Sequence, residues 1–134
     1  MIELIWDVDR RGTVTAPSGA CFDAGDRAAS FSPDDLMAAA AASCLMRTFL
    51  QLAAEGQVVV LSYAANAHVE SGRGPLRPRV HVRVYVTASE GTDCRRITLL
   101  CEQAAHISPV AQMLGERLRV EHDVRALCSP PVMH

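Results

Sequence analysis

The segment "FSPDDLMAAAAASCLMRTFLQLAAEG" at residues 31–56 is the feature that most restricts how this chain can fold. Ser32 suits an N-cap, Pro33 suits the first helical position, and the two aspartates that follow favour the positive end of a helix dipole. Helix-forming residues then continue to Gly56, which we place just after the last helical residue, at C′. The segment therefore predicts one helix of about 33 Å, at about 1.5 Å per residue.

This helix approaches the length of a membrane span, because nineteen largely apolar residues run from Leu36 to Ala54. Polar side chains interrupt it at Ser43, Arg47, Thr48 and Gln51. Alanine dominates the stretch and both flanks are polar, so we expect a core helix and no membrane association. The alanine run is small enough to let another helix approach closely, within the subunit or across a dimer.

Composition limits the class of protein and its partners. The 134 residues suit one domain spanning 1–134, and the net charge of −2 gives no reason to expect nucleic acid as a partner. Five cysteines without a C-x-x-C pair suggest neither a disulfide framework nor a metal site, and no cofactor motif is present. We expect a cytoplasmic protein with reduced thiols.

The remaining elements follow from alternation and from turn residues. Alternating apolar residues predict strands, helical spacing predicts two further helices, and residues 17–31 are expected to form a loop or a weak strand. The strands are expected at residues 1–8, 12–17, 57–71, 77–89 and 119–127. The helices are expected at residues 92–106, with Thr92 as cap, and from Ser108 onward. This order predicts an α+β fold with a mostly antiparallel sheet, a long central helix and a second helical segment.

A helical wheel divides the long helix into two sides. Its large apolar residues share one broad side. They are Leu45, Met46, Phe49, Leu50 and Leu52. Cys44 lies on the other side, where Arg47 at i+3 could interact with it and favour the nucleophilic thiolate. The alternative is that Cys44 is a small buried filler, and the pattern leaves both open.

The stretch "FSPDDLMAAAAASCLM" resembles the helix signature of the OsmC/Ohr family (osmotically inducible protein C and organic hydroperoxide resistance proteins). The signature is a proline, an acidic residue, a leucine, an alanine-rich stretch, and a cysteine ten residues after the acid. Here these are Pro33, Asp34, Leu36 and Cys44. The element order agrees over nearly the whole chain. The resemblance implies an OsmC-like fold in an intertwined homodimer, with the long helices at its centre.

The resemblance also implies an activity. Active members are similar to two-cysteine peroxidases that reduce organic hydroperoxides or hydrogen peroxide in oxidative-stress defence. The peroxidatic cysteine maps to Cys44, its acidic partner maps to Asp34, and Arg27 and Arg11 are the candidates for the family's arginine. Asp34 and Cys44 are about 15 Å apart on different sides of one helix. Asp34 therefore serves Cys44 across a dimer or through bonded groups, or it is only a first-turn acid.

The chain departs from the family at the second, resolving cysteine. In "HISPV" the family's "C-P-V"-like position is occupied by Ser108, which can cap a helix but cannot form a disulfide. An external dithiol or low-molecular-weight thiol could resolve Cys44 instead, or another cysteine could do so, with Cys128 and Cys101 as candidates.

Two further side chains are auxiliary candidates, and one alternative function stays open. His106 lies two residues before the substituted position, and Arg47 lies one turn after the cysteine. The other function is a catalytically inactive OsmC-like dimer that binds a small apolar ligand.

Overall fold

The computed structural model describes residues 1–6, 11–25, 30–75 and 77–126. Residue contacts divide the chain into two compact units, Met1–Met37 and Ala38–His134. The strands and helices confirm the predicted α+β fold. They are β1 (Glu3–Trp6), β2 (Arg11–Thr15), β3 (Cys21–Gly25), α1 (Pro33–Glu55), β4 (Val60–Glu70), β5 (Arg79–Ala88), α2 (Cys94–Ile107), α3 (Pro109–Leu114), a 3-10 turn (Gly115–Arg117) and β6 (Leu118–Ala126).

The first unit contains a three-stranded antiparallel sheet in the order β1-β2-β3. Its third strand lies inside residues 17–31, where a loop or a weak strand was expected, and pairing with β2 decides for the strand. Gly12 is required where β2 meets β3, since a Cβ there would lie 2.9 Å from the backbone oxygen of Ala24.

The second unit has its own three-stranded sheet, in the order β4-β5-β6. Strand β5 pairs antiparallel with β4 and parallel with β6, and the crossover between β5 and β6 runs through α2 and α3. Every second residue of β5 is buried, from Val80 to Ala88, while the residues between them lie on the opposite face. That opposite face carries polar side chains, including His81 and Arg83.

Helix α1 packs into the core of the second unit through a narrow stripe. Its buried residues in that core follow helical spacing. They are Ala41, Leu45, Phe49 and Ala53. Met46 and Leu50 are each 39% exposed, so the broad apolar side drawn from the sequence was too wide, and these two side chains face away from the core. Among the described residues α1 is the one helix long and apolar enough to cross a membrane, as core helices of soluble proteins also are.

Gly56, at the end of α1, does not occupy the C′ position expected for it. The amide of Val58 bonds the carbonyl of Ala53 at 2.8 Å, and the amide of Gln57 bonds that of Ala54 at 3.1 Å. This is the Schellman pattern, which places Gln57, with φ 56°, at the left-handed C′ position. Gly56 is the preceding C-cap residue, and its carbonyl accepts a hydrogen bond from Arg96 of α2.

Replacing Gln57 by glycine is expected to stabilise the protein by about 0.5–1 kcal/mol, because glycine adopts positive φ without the strain of a Cβ. Urea unfolding followed by circular dichroism measures the change. Gln57→Ala is the control, since alanine keeps the Cβ and should give no such gain. A midpoint for Gln57→Gly at or below that of the original protein would contradict the assignment.

Helix α2 begins with a different cap from the one expected. The side chain of Asp93 accepts a hydrogen bond from the amide of Arg95 at 2.9 Å, which makes Asp93 the N-cap. The hydroxyl of Thr92 instead pairs with that of Ser89 at 3.0 Å, so the expectation for Thr92 was wrong.

Candidate functional site

Cys44 lies near the middle of α1, at the border between its buried and exposed sides. The thiol is unpaired and its side chain is half-buried, between exposed Ser43 and fully buried Leu45. Helical spacing places Cys44 beside the stripe that packs on the sheet rather than in it. The sulfur is therefore neither sealed in the core nor fully solvated, and such partial exposure is one of the features of reactive thiols.

The two aspartates in the first turn of α1 have different roles. Ser32 Oγ accepts a hydrogen bond from the amide of Asp35 at 3.1 Å, and Asp35 Oδ2 accepts one from the amide of Ser32 at 3.0 Å. This reciprocal capping box confirms Ser32 as the N-cap and makes Asp35 its partner. Asp34 is exposed and takes no part in the box. It belongs to the first unit and Cys44 to the second, so their cooperation stays a prediction.

The candidate arginines are only partly within the described structure. Arg27 and Cys128 lie outside the described residues, and Arg11 is described only as a backbone position of β2. Arg47 is exposed on α1 one turn after Cys44. The identity of the arginine that would face the thiol therefore stays a prediction.

Ser108 lies between α2 and α3 and is both the C-cap of α2 and the N-cap of α3. It is fully buried, and its amide donates to the carbonyl of Ala104 at 3.0 Å, which closes α2. Its Oγ accepts a hydrogen bond from the amide of Ala111 at 3.3 Å, and Pro109 follows as the first residue of α3. The helix-capping role expected from "HISPV" is thus confirmed.

Cys101 occupies the opposite extreme from Cys44. It is 3% exposed and lines a small cavity of about 10 Å³ with Phe49, Tyr63 and His122, among others. Burial, and secondarily the charge of Glu102, raises the pKa of the Cys101 thiol to about 12. The thiol is therefore protonated at neutral pH and shielded, which makes Cys101 unsuitable as a resolving nucleophile in this conformation.

Two other titratable groups line the same cavity. Burial raises the pKa of Tyr63 to about 12, with a smaller effect of Cys101 in the same direction. Burial also lowers the pKa of His122, against a smaller opposing effect of Glu102. Both shifts favour the neutral forms of these two side chains. His122 and exposed His106 also meet at an open depression of about 310 Å³.

We expect Cys101 to be the slowest of the four described cysteines to react with iodoacetamide in the native protein. Its thiolate fraction and its exposure are both minimal, whereas Cys21 is exposed and Cys44 and Cys94 are half-buried. Peptide mass spectrometry after timed alkylation at neutral pH measures each rate, and urea-unfolded protein is the control in which the rates converge. Labelling of native Cys101 as fast as Cys21 would contradict the sealed cavity.

The outer face of the second sheet carries a side-chain cluster that no sequence motif indicated. His68, Glu70 and His81 place their ligand-type atoms within 4.8 Å of one another. The pairing of His68 with His81 across β4 and β5 brings them together. The i, i+2 spacing of His68 and Glu70 was a visible signal, but the register that adds His81 was not.

Comparison with known proteins identifies relatives by family and by fold. A family model described as "OsmC-like protein" matches residues 25–123. No curated protein sequence gives a significant match.

Several solved structures share the fold at low sequence identity. An OsmC-like protein of Mycoplasma pneumoniae is 13% identical, with a TM-score of 0.76 and 96% of each chain covered. An OsmC-like protein of unknown function from Vibrio cholerae is 18% identical, with a TM-score of 0.74, covering 92% of this chain and 97% of that one. The organic hydroperoxide resistance protein OhrB of Bacillus subtilis is 16% identical, with a TM-score of 0.65, covering 92% and 97%.

Proposed function

Because the chain belongs to the OsmC-like protein family, we propose that it is a thiol-dependent peroxidase that reduces hydroperoxides with Cys44 as the nucleophile. The observation that carries the proposal is the contrast between two cysteines. Cys44 is half-buried at the family's motif position, while Cys101 is sealed and protonated. Organic hydroperoxide resistance proteins among the structural relatives support the same class of substrate.

The reaction balances with two external thiols. The Cys44 thiolate attacks one peroxide oxygen and the O–O bond breaks, so Cys44 becomes a sulfenic acid and an alkoxide (or hydroxide, from hydrogen peroxide) leaves and takes a proton from solvent to give the alcohol (or water). A first external thiol displaces water from that sulfur and forms a mixed disulfide. A second thiol then releases Cys44 and leaves as the oxidised disulfide.

An external reductant fits the residue found at the family's resolving position. Ser108 has no thiol, and its Oγ is already engaged as the cap of α3. Ser108 is fully buried, and its hydroxyl cannot form the disulfide that the resemblance assigns to this position. The proposal therefore assigns resolution to a dithiol or a low-molecular-weight thiol, in a cytoplasmic setting where such thiols are abundant.

A homodimer is part of the proposal, since α1 has a second apolar side. Met46 and Leu50 are each 39% exposed and are neighbours on the helix surface, on a side that faces away from the core. A second copy of α1 packed here would bury this side. Sizing combined with light scattering tests the arrangement, and a stable monomer would contradict the dimer without touching the chemistry of Cys44.

The test of the chemistry is oxidation of the reduced protein by one equivalent of cumene hydroperoxide or of hydrogen peroxide. We expect the Cys44 peptide to gain one oxygen, or a mixed disulfide when a small thiol is present, before any other cysteine changes. Peptide mass spectrometry identifies the site. If Cys44 stays reduced while exposed Cys21 oxidises, the peroxidase proposal is wrong.

A further inference from the structure

The outer face of the second sheet carries two imidazoles and a carboxylate at one point. His68 and His81 face each other across the β4–β5 pair, with ring centroids 5.3 Å apart. Glu70 follows His68 by two residues and therefore projects from the same face. Its Oε1 lies 3.9 Å from His68 Nε2 and 3.6 Å from His81 Nδ1.

We propose that His68, Glu70 and His81 form a binding site for a divalent first-row transition metal of the Zn²⁺ type. Two histidine nitrogens and one carboxylate oxygen are a common zinc ligand set, with water completing the tetrahedron. Ligand atoms around a tetrahedral zinc ion are about 3.3 Å apart, given bond lengths of about 2.0–2.2 Å. The distances to Glu70 exceed this by only a few tenths of an ångström, and the His68 side chain is 63% exposed and can turn to close the difference.

The residues around the three ligands have the arrangement that orients metal-binding side chains. Arg77 pairs with Glu70 Oε2 at 2.5 Å, which leaves Oε1 directed at the two imidazoles. On the far side of His81, Nε2 lies 3.4 Å from Glu121 Oε1. A carboxylate on the second nitrogen of a histidine fixes the tautomer whose other nitrogen binds a metal.

His81 Nε2 is a further indication. It is buried and has no partner with hydrogen-bond geometry, although Glu121 is within ion-pair distance. A buried polar atom without a hydrogen bond calls for a physical explanation. Metal binding at Nδ1 would place the proton on Nε2, and a small ring rotation would then direct that proton at Glu121.

The neighbouring arginines set the expected strength. Arg83 and Arg119 lie 3.7 and 3.5 Å from the carboxylate of Glu121, and Arg77 holds Glu70. This positive charge opposes a cation, so we expect micromolar affinity, weaker than that of a closed structural site. The site lies away from the core face that holds Cys101, and it does not depend on the peroxidase proposal.

The test is titration of the purified, reduced full chain with Zn²⁺ against a chromophoric chelator, and with Co²⁺ as a spectroscopic substitute. We expect one equivalent to bind with micromolar affinity and with a Co²⁺ spectrum free of thiolate charge-transfer absorption. His68→Gln and His81→Gln should each weaken binding at least about tenfold, and Glu121→Gln should weaken it by about 10–100-fold. His68→Gln alters an exposed residue, so it also remains informative if His81→Gln folds poorly.

The matched control is His106→Gln, which removes an exposed imidazole from α2. Unchanged affinity in this variant, with loss in His68→Gln, supports the site. Unchanged affinity in His68→Gln, equal weakening in His106→Gln, or thiolate absorption with Co²⁺ would each overturn it.

Discussion

Replacing Phe49 by alanine is expected to lower the free energy of unfolding by about 3–5 kcal/mol. Phe49 is 1% exposed and its ring lies 5.5 Å from that of Tyr63, centroid to centroid. The adjoining cavity has a volume of only about 10 Å³, which indicates tight packing. The neighbouring side chains therefore cannot shift far enough to fill the volume that the phenyl ring leaves. Because domains are stable by only about 5–15 kcal/mol, this loss is a large share of the total.

Urea unfolding followed by circular dichroism measures the effect, with Leu99→Ala as the matched control. Leu99 is a large apolar residue that is 63% exposed on α2, and its truncation should change stability by less than about 0.5 kcal/mol. If Phe49→Ala does not fold, Phe49→Leu gives a smaller but measurable loss at the same place. Equal, small losses for Phe49→Ala and Leu99→Ala would mean that α1 does not pack on the sheet as described.

Replacing Cys44 by serine is expected to remove catalysed peroxide consumption. A serine hydroxyl stays protonated at neutral pH and is a weak nucleophile without an adjacent base, whereas a thiol supplies a thiolate. Consumption of cumene hydroperoxide with excess dithiothreitol measures the activity. Only the slow background reaction of the other thiols should remain.

Cys94→Ser is the matched control, since Cys94 is also a half-buried, helical, unpaired cysteine of the second unit. It should retain the original rate, and both variants should keep the original circular dichroism spectrum. Peroxide consumption by Cys44→Ser at the original rate would reject the assignment of Cys44. Loss of activity in Cys94→Ser alone would instead identify Cys94 of α2 as the nucleophile.

Local sequence signals predicted the elements whose stability is local. The start of α1 followed from Ser32 and Pro33, and the two long strands followed from their alternation. The helix start at Ser108 followed from the same kind of signal. In each case the signal is a helix cap or an alternation of apolar and polar residues. Both depend only on residues that are close in sequence, so they can be recognised without knowledge of distant contacts.

The candidate site was predictable only in part, for a related reason. Cys44 and Asp34 came from a motif, and the structure shows how far Cys44 is exposed. The burial of Cys101 depends on residues from α1, β4, β5 and β6 that converge on it. No sequence pattern near Cys101 indicates that these elements bury it.

By itself, the sequence determined the long capped helix, the order of most elements along the chain and the position of the candidate nucleophile. Tertiary structure alone decided that β3 pairs as a strand, that Met46 and Leu50 face away from the core, and that Cys101 is sealed. It also decided that His81 meets His68 and Glu70. Helix caps and alternation act between near neighbours, whereas register and burial are set by segments far apart in the chain that meet only when it folds.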